Sequence, residues 1–163
     1  MPFVDLESSS RRYFRPGLNR CDELVGVRVI HRKRTAHDVS RESMLITMYR
    51  DAMASLRIKD GDRVGFRMDH QTLDLMIYNT SGMLTTQHGK RVRIRKDIAP
   101  GTHPTHGVVE LSFAIINNPD SCRRIVEALT GPTKFLPFNS YTSSRDGVRS
   151  AVVICLTDQS VMV

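Results

Sequence analysis

Residues 44–78 read MLITMYRDAMASLRIKDGDRVGFRMDHQTLDLMIY, and the order of patterns within this stretch decides the fold class. Met44–Met48 has the composition of a short strand, and Arg50–Leu56 carries apolar residues at helical spacing. A Lys-Asp-Gly-Asp sequence at 59–62 indicates a tight turn, because glycine adopts a positive φ without steric cost. Residues 63–69 and 72–78 alternate apolar and polar side chains, as the two arms of a hairpin do. The stretch therefore predicts a strand, a short helix, a turn and a hairpin.

The rest of the chain adds further strands and one helix. Strand patterns occupy Leu24–His31, the arginine-rich segment Gly89–Lys96, Gly107–Ile116 and Val148–Leu156. The polar stretches Arg32–Arg41 and Thr133–Asp146 are expected to be connections. Asn118 is expected to cap a helix that begins at Pro119, since the first helical position needs no N–H group.

These patterns predict a β-dominated α+β fold with about seven strands and two short helices, arranged as an antiparallel sheet or a small barrel. We expect residues 1–22 to be an N-terminal arm and residues 23–163 to be one compact domain. The β-α-β-hairpin unit lies at 44–80 within that domain.

Composition excludes several classes of protein. With 163 residues, 40% hydrophobic and 25% charged, the chain is neither collagen-like nor a coiled coil nor wholly disordered. Its longest apolar run, Ala151–Leu156, is far shorter than the roughly 20 residues that cross a bilayer, so no membrane association is expected. Cys21, Cys122 and Cys155 are odd in number and lack CxxC spacing, which argues against a disulfide framework and favours a cytoplasmic location.

The net charge of +7 is concentrated in two segments. Residues 1–43 hold nine Lys or Arg against six Asp or Glu, and residues 82–106 hold five against one. In a strand, Arg91, Arg93 and Arg95 would point to one face and the intervening aliphatic residues to the other. The charge pattern predicts these nucleic-acid-binding residues: Arg28, Arg32, Lys33, Arg34, Lys90, Arg91, Arg93, Arg95 and Lys96.

Three functions fit the basic segments or the residues near them. If the two segments are neighbours, their arginines form one patch that binds nucleic-acid phosphates through planar, bidentate guanidinium groups. The same groups could instead bind an acidic protein surface, as in a small viral or accessory inhibitor. Alternatively, the arginines could only be the solvated outer side of the strands, where charge discourages edge pairing. A third hypothesis is an enzyme that binds a metal through His103 and His106, which are three residues apart.

Catalytic motifs give that third hypothesis little support. No Cys or carboxylate beside His103 and His106 completes a known metal pattern, and the sequence contains neither a phosphate-binding G-x-x-x-x-G-K-[ST] loop nor a G-x-S-x-G elbow. We therefore expect a non-enzymatic protein without a cofactor.

The stretch from Ile46 to Val64 resembles the AbrB/SpoVT family of swapped-hairpin DNA-binding domains. The matching positions are Thr47, Leu56, Ile58, Lys59, Gly61, Asp62 and Val64. Tyr49 and Arg57 stand where the family usually has Pro and Gly. The resemblance covers residues 44–80 and implies a homodimeric DNA-binding regulator in which Arg41 and Arg50, near the strand starts, contact DNA.

Overall fold

The structure of the protein is a computed structural model, and it describes residues 26–37, 39–80, 89–95, 105–131, 134–143 and 148–157. The predicted N-terminal arm at 1–22 lies outside these ranges. The elements in chain order are β1 (Val27–Ala36), β2 (Val39–Met48), α1 (Arg50–Leu56), β3 (Arg63–Asp69), β4 (Asp74–Asn79), β5 (Lys90–Arg91), β6 (Arg93–Arg95), β7 (His106–Ser112), α2 (Phe113–Ile116), α3 (Pro119–Leu129), β8 (Lys134–Leu136), β9 (Asn139–Ser143) and β10 (Val148–Cys155).

The strands form two antiparallel sheets of five strands each. The first sheet has the order β6-β7-β2-β1-β8, and the second has the order β5-β3-β4-β10-β9. The β-dominated, antiparallel α+β class is confirmed. The expected seven strands and two helices are wrong, because the described residues contain ten strands and three helices, and neither sheet closes into a barrel. Two of the additional strands, β8 and β9, lie in the stretch predicted to be a connection.

The two sheets share one hydrophobic core. Alternate residues of each sheet point inward, so that Ile46 of the first sheet and Leu75 of the second are both fully buried. Leu56 of α1 and Ile125 of α3 belong to the same cluster. Burial of one face leaves the opposite face of the first sheet free to carry polar and charged side chains.

The β1–β2 hairpin is longer than expected. The strands pair continuously from Val27–Met48 to Ala36–Val39, so the prediction of a polar connection over residues 32–41 is wrong. The described residues of β1 beyond Arg32 are all exposed. Because neither face is buried there, this part of the strand needs no alternation of apolar and polar residues, and the sequence does not reveal it. His37, with φ 51°, supplies the positive φ that short hairpin turns favour.

The arginine-rich segment does not form one strand. Lys90 and Arg91 pair with β3 in the second sheet, whereas residues 93–95 pair with β7 in the first. Val92, 1% exposed, lies between them, and its N–H donates to the Asp62 carbonyl at 3.1 Å. The segment therefore crosses from one sheet to the other at a buried residue.

The local unit after β2 agrees with its predicted order of strand, helix, turn and hairpin. Arg57 ends α1 with φ 53° and ψ 40°, and Gly61 has φ 90° in the turn. The Asp62 carboxylate accepts a hydrogen bond from the Lys59 N–H at 2.9 Å, which fixes that turn. Membership of the swapped-hairpin family remains a prediction.

The segment from β7 to α3 is only partly as predicted. The strand expected to run to Ile116 ends at Ser112, whose hydroxyl accepts from the Ala114 N–H at 3.2 Å and starts α2. The predicted cap of α3 is confirmed, since the Asn118 side chain accepts from the Ser121 N–H at 3.0 Å and Pro119 is the first helical residue. None of the helices among the described residues has the length and apolarity to cross a membrane.

Candidate nucleic-acid interface

The outward face of the first sheet carries the candidate site. Strand register places Arg93 beside Val108, Val108 beside Thr47, and Thr47 beside Arg28. A second row places Ser112 beside Ser43 and Ser43 beside Arg32. Residues two apart on a strand share a face, so both basic segments send arginines to the same side of this sheet.

A groove of about 610 Å³ runs between the two basic segments. Six cations line it: Arg32, Arg34, Lys90, Arg91, Arg93 and Arg95. Strands β1 and β6 are separated by β2 and β7, so the two walls stand about three strand spacings, or roughly 14 Å, apart at the backbone. We call this feature the cationic groove. The sequence predicted its six cations, and the fold brings two segments that are far apart in the chain to its opposite sides.

Among the described residues, most cations of the groove have no carboxylate close enough to form an ion pair. Among the described residues, Arg32 is the one groove cation with a carboxylate within 4.0 Å, at 3.8 Å from Glu110. Arg34 and the four cations of the opposite wall are exposed. Guanidinium groups without an internal carboxylate partner are available to an external anion.

The floor of the groove is partly apolar, and the described residues that line it include a single carboxylate. Thr47 and Val108 are 8% and 7% exposed, and Leu45 is half-buried. Glu110 rises from β7 between the walls, and the Ser43 hydroxyl donates to its Oε2 at 2.7 Å. Glu110 and Ser43 were not predicted from the sequence, although the alternation of β7 places Glu110 on the face opposite the buried Val109 and Leu111.

A second depression of about 640 Å³ extends the groove toward the tip of the β1–β2 hairpin. It shares Arg34, Lys90 and Glu110 with the cationic groove and adds Arg41 and Glu42. The Glu42 carboxylate lies 3.1 Å from His31 Nε2 and is therefore paired. Arg41, which the family resemblance indicated, thus lies at the hairpin end of the same surface.

The remaining predicted residues do not line the groove. Arg28 is half-buried beside Thr47, and its buried Nε has no hydrogen-bond partner among the described residues. Lys33 is exposed on the opposite side of β1 by strand alternation. Arg50 follows the end of β2 whereas Arg41 lies near its beginning, so nearly the whole strand separates the two predicted DNA contacts. Lys96 lies outside the described residues.

The candidate metal site receives no support from the described residues. His106 lines the cationic groove, while His103 lies outside the described ranges. No group of three His, Cys, Asp or Glu side chains in the described part of the chain could hold a metal ion.

The described cysteines lack the features of nucleophiles. Burial raises the pKa of the Cys122 thiol, which keeps it protonated at neutral pH, and its Sγ faces the Phe113 carbonyl. Cys155 is half-buried beside Thr157, and Cys21 lies outside the described residues.

A serine and a histidine that the sequence analysis did not connect also lie within hydrogen-bond distance. His70 Nδ1 is 2.7 Å from Ser121 Oγ. Ser121 is 1% exposed, so its hydroxyl is closed to a substrate, and Arg124 donates to the carbonyls of His70 and Gln71 beside it. These contacts attach the tip of the β3–β4 hairpin to α3.

Comparison with known proteins gives no relative for this arrangement: no protein-family model, no curated protein and no solved structure matches the chain.

Proposed function

We propose that the protein binds nucleic acid in the cationic groove and acts as a non-enzymatic regulatory protein. One observation carries the proposal. Two basic segments that are distant in sequence face each other across one groove, and its described lining contains six cations and one carboxylate, Glu110. Such an excess of positive charge on opposing walls is complementary to a polyanion that lies along the groove.

The type of cation favours phosphates. Five of the six basic residues are arginines, whose planar groups contact phosphate oxygens through two parallel hydrogen bonds. A groove of this volume falls in the range of small-molecule pockets, about 300–1,000 Å³, but such pockets are lined mainly by apolar and aromatic side chains. A charged backbone therefore suits the groove better than a small apolar ligand.

Binding to labelled single-stranded and double-stranded DNA across a salt series tests the proposal. We expect affinity to fall steeply as salt rises, because bound phosphates release counterions. The Arg91→Glu/Arg93→Glu/Arg95→Glu variant should bind much more weakly and with a flatter salt dependence.

A matched control is the Arg57→Glu/Lys59→Glu/Arg67→Glu variant, which changes the net charge by the same amount at exposed residues outside the groove. Equal losses in the two variants would reduce the effect to overall charge and overturn the assignment of the groove. If the wild-type protein binds neither form of DNA at low salt, nucleic-acid binding is overturned, and an acidic protein partner becomes the next candidate to test.

A further inference from the structure

We infer that the cationic groove takes a single nucleic-acid strand and that Glu110 selects guanine within it. This inference rests on the proposed function and adds the form of the ligand and a specificity-determining residue. Its starting point is the position of one negative charge among six positive ones in the described lining of the groove.

Glu110 is fixed on one side and open on the other. Ser43 Oγ donates to Oε2 at 2.7 Å, and Arg32 Nη1 lies 3.8 Å from the same oxygen. Oε1 has no partner among the described residues, and the side chain is 37% exposed toward the groove. The carboxylate thus presents oriented acceptor capacity to a ligand at the level of the floor.

A carboxylate on the floor repels phosphates and attracts N–H donors. Phosphates on the arginine walls and bases toward Glu110, Leu45 and Val108 satisfy both requirements, because the floor offers apolar surface for a base and an acceptor for its edge. In a duplex the Watson–Crick edges are already paired, and walls about 14 Å apart at the backbone are too close to admit a double helix. A single strand, whose bases are unpaired, reaches the floor.

Among the four bases, guanine matches a carboxylate best. Its Watson–Crick edge places the N1–H and the N2 amino group side by side as two donors, and a carboxylate accepts both. Cytosine and adenine place one amino group beside an acceptor nitrogen, and thymine and uracil place one N–H between two carbonyls. Each alternative base brings at least one acceptor toward Glu110, which weakens binding.

The test uses oligothymidine strands that carry one central guanine, adenine, cytosine or inosine, with oligouridine counterparts to separate DNA from RNA. Fluorescence anisotropy should show guanine-containing strands binding about tenfold more tightly than the others, with inosine intermediate because it lacks the N2 amino group. The preference for guanine should appear with the deoxyribose strands, the ribose strands or both.

Glu110→Gln should change base preference and overall affinity in opposite directions, which a general charge effect would not do. The amide nitrogen would face the guanine donors, so the preference should disappear, while plain oligothymidine should bind more tightly because a negative charge has gone. Glu42→Gln is the matched control, since it removes a paired carboxylate from the hairpin end and should leave the guanine preference intact.

The outcomes separate this inference from the proposed function. Equal affinity for all strands, or tighter binding of the duplex than of the guanine-containing strand, overturns the inference and leaves nucleic-acid binding in place. Loss of the preference in Glu42→Gln as well would assign it to groove charge and overturn the role of Glu110. The absence of binding to any strand overturns the proposed function itself.

Discussion

Replacing Gly107 with alanine tests how the arginine-rich segment is held against the core. A Cβ at position 107 would lie 2.8 Å from Val92 Cγ1 and 3.0 Å from Met53 Sδ, closer than ordinary van der Waals contact. Met53 can move its flexible end, whereas Val92 is a stiff β-branched residue whose side chain is buried in the core. We therefore expect Gly107→Ala to lower the free energy of unfolding by about 1–3 kcal/mol through overpacking.

The magnitude can be assigned to the contact by a double-mutant cycle. Val92 is 1% exposed, so Val92→Ala alone should cost roughly 1.5–3 kcal/mol in lost burial and cavity formation. In the double variant the clashing methyl group is absent, and the added Cβ fills part of the space. The double variant should therefore be more stable than the sum of the single effects predicts, by about 1 kcal/mol or more.

Equilibrium unfolding in urea, with the slope compared among variants, measures these values. Ile125→Val on α3, a fully buried position, is the control partner, and its effect should add to that of Gly107→Ala. If the effects of Gly107→Ala and Val92→Ala add within about 0.5 kcal/mol, the two residues are not in the described contact and the account of the segment is refuted.

Three further predictions concern the helix end, acid stability and the groove. Arg57→Gly should stabilise the protein by about 0.5–1 kcal/mol, because glycine adopts φ 53° without the steric penalty of a side chain; a thermal melt that shows destabilisation contradicts this. Two backbone N–H groups of the β3–β4 turn lower the pKa of Asp69 below 3.8. The contribution of the Asp69 carboxylate to the free energy of unfolding is therefore complete above that pH and is lost as the pH falls. The difference in stability between wild type and Asp69→Asn should shrink in acid. With single-stranded DNA, Arg93→Ala should flatten the slope of log affinity against log salt by about 0.7, and Lys59→Ala, at an exposed position outside the groove, should leave it unchanged.

Local patterns were sufficient where a few neighbouring residues determine the structure. The cap at Asn118 followed by Pro119 predicts α3 because both residues act on the first helical turn. Apolar alternation likewise predicts β3 and β4, whose buried residues face the core. These elements need no information from distant parts of the chain.

Features that depend on distant partners were missed or only half predicted. Residues 134–136 are too few and residues 139–143 too polar to stand out, and they are strands because β1 and β10 offer open edges. Glu110 becomes a fixed acceptor through Ser43, which lies 67 residues away. The sequence identified both arginine clusters, but their placement on opposite walls follows from the insertion of β2 and β7 between β1 and β6.

The single-residue link at Val92 makes the groove wall part of both sheets. Strands β5 and β6 contain two and three residues and lie at the edges of different sheets, so few ladder hydrogen bonds restrain either of them. A ligand that contacts Arg91 and Arg93 together would restrain both short edge strands, β5 and β6, at the same time. Slower amide hydrogen exchange at this link would therefore report occupancy of the groove without any label on the ligand.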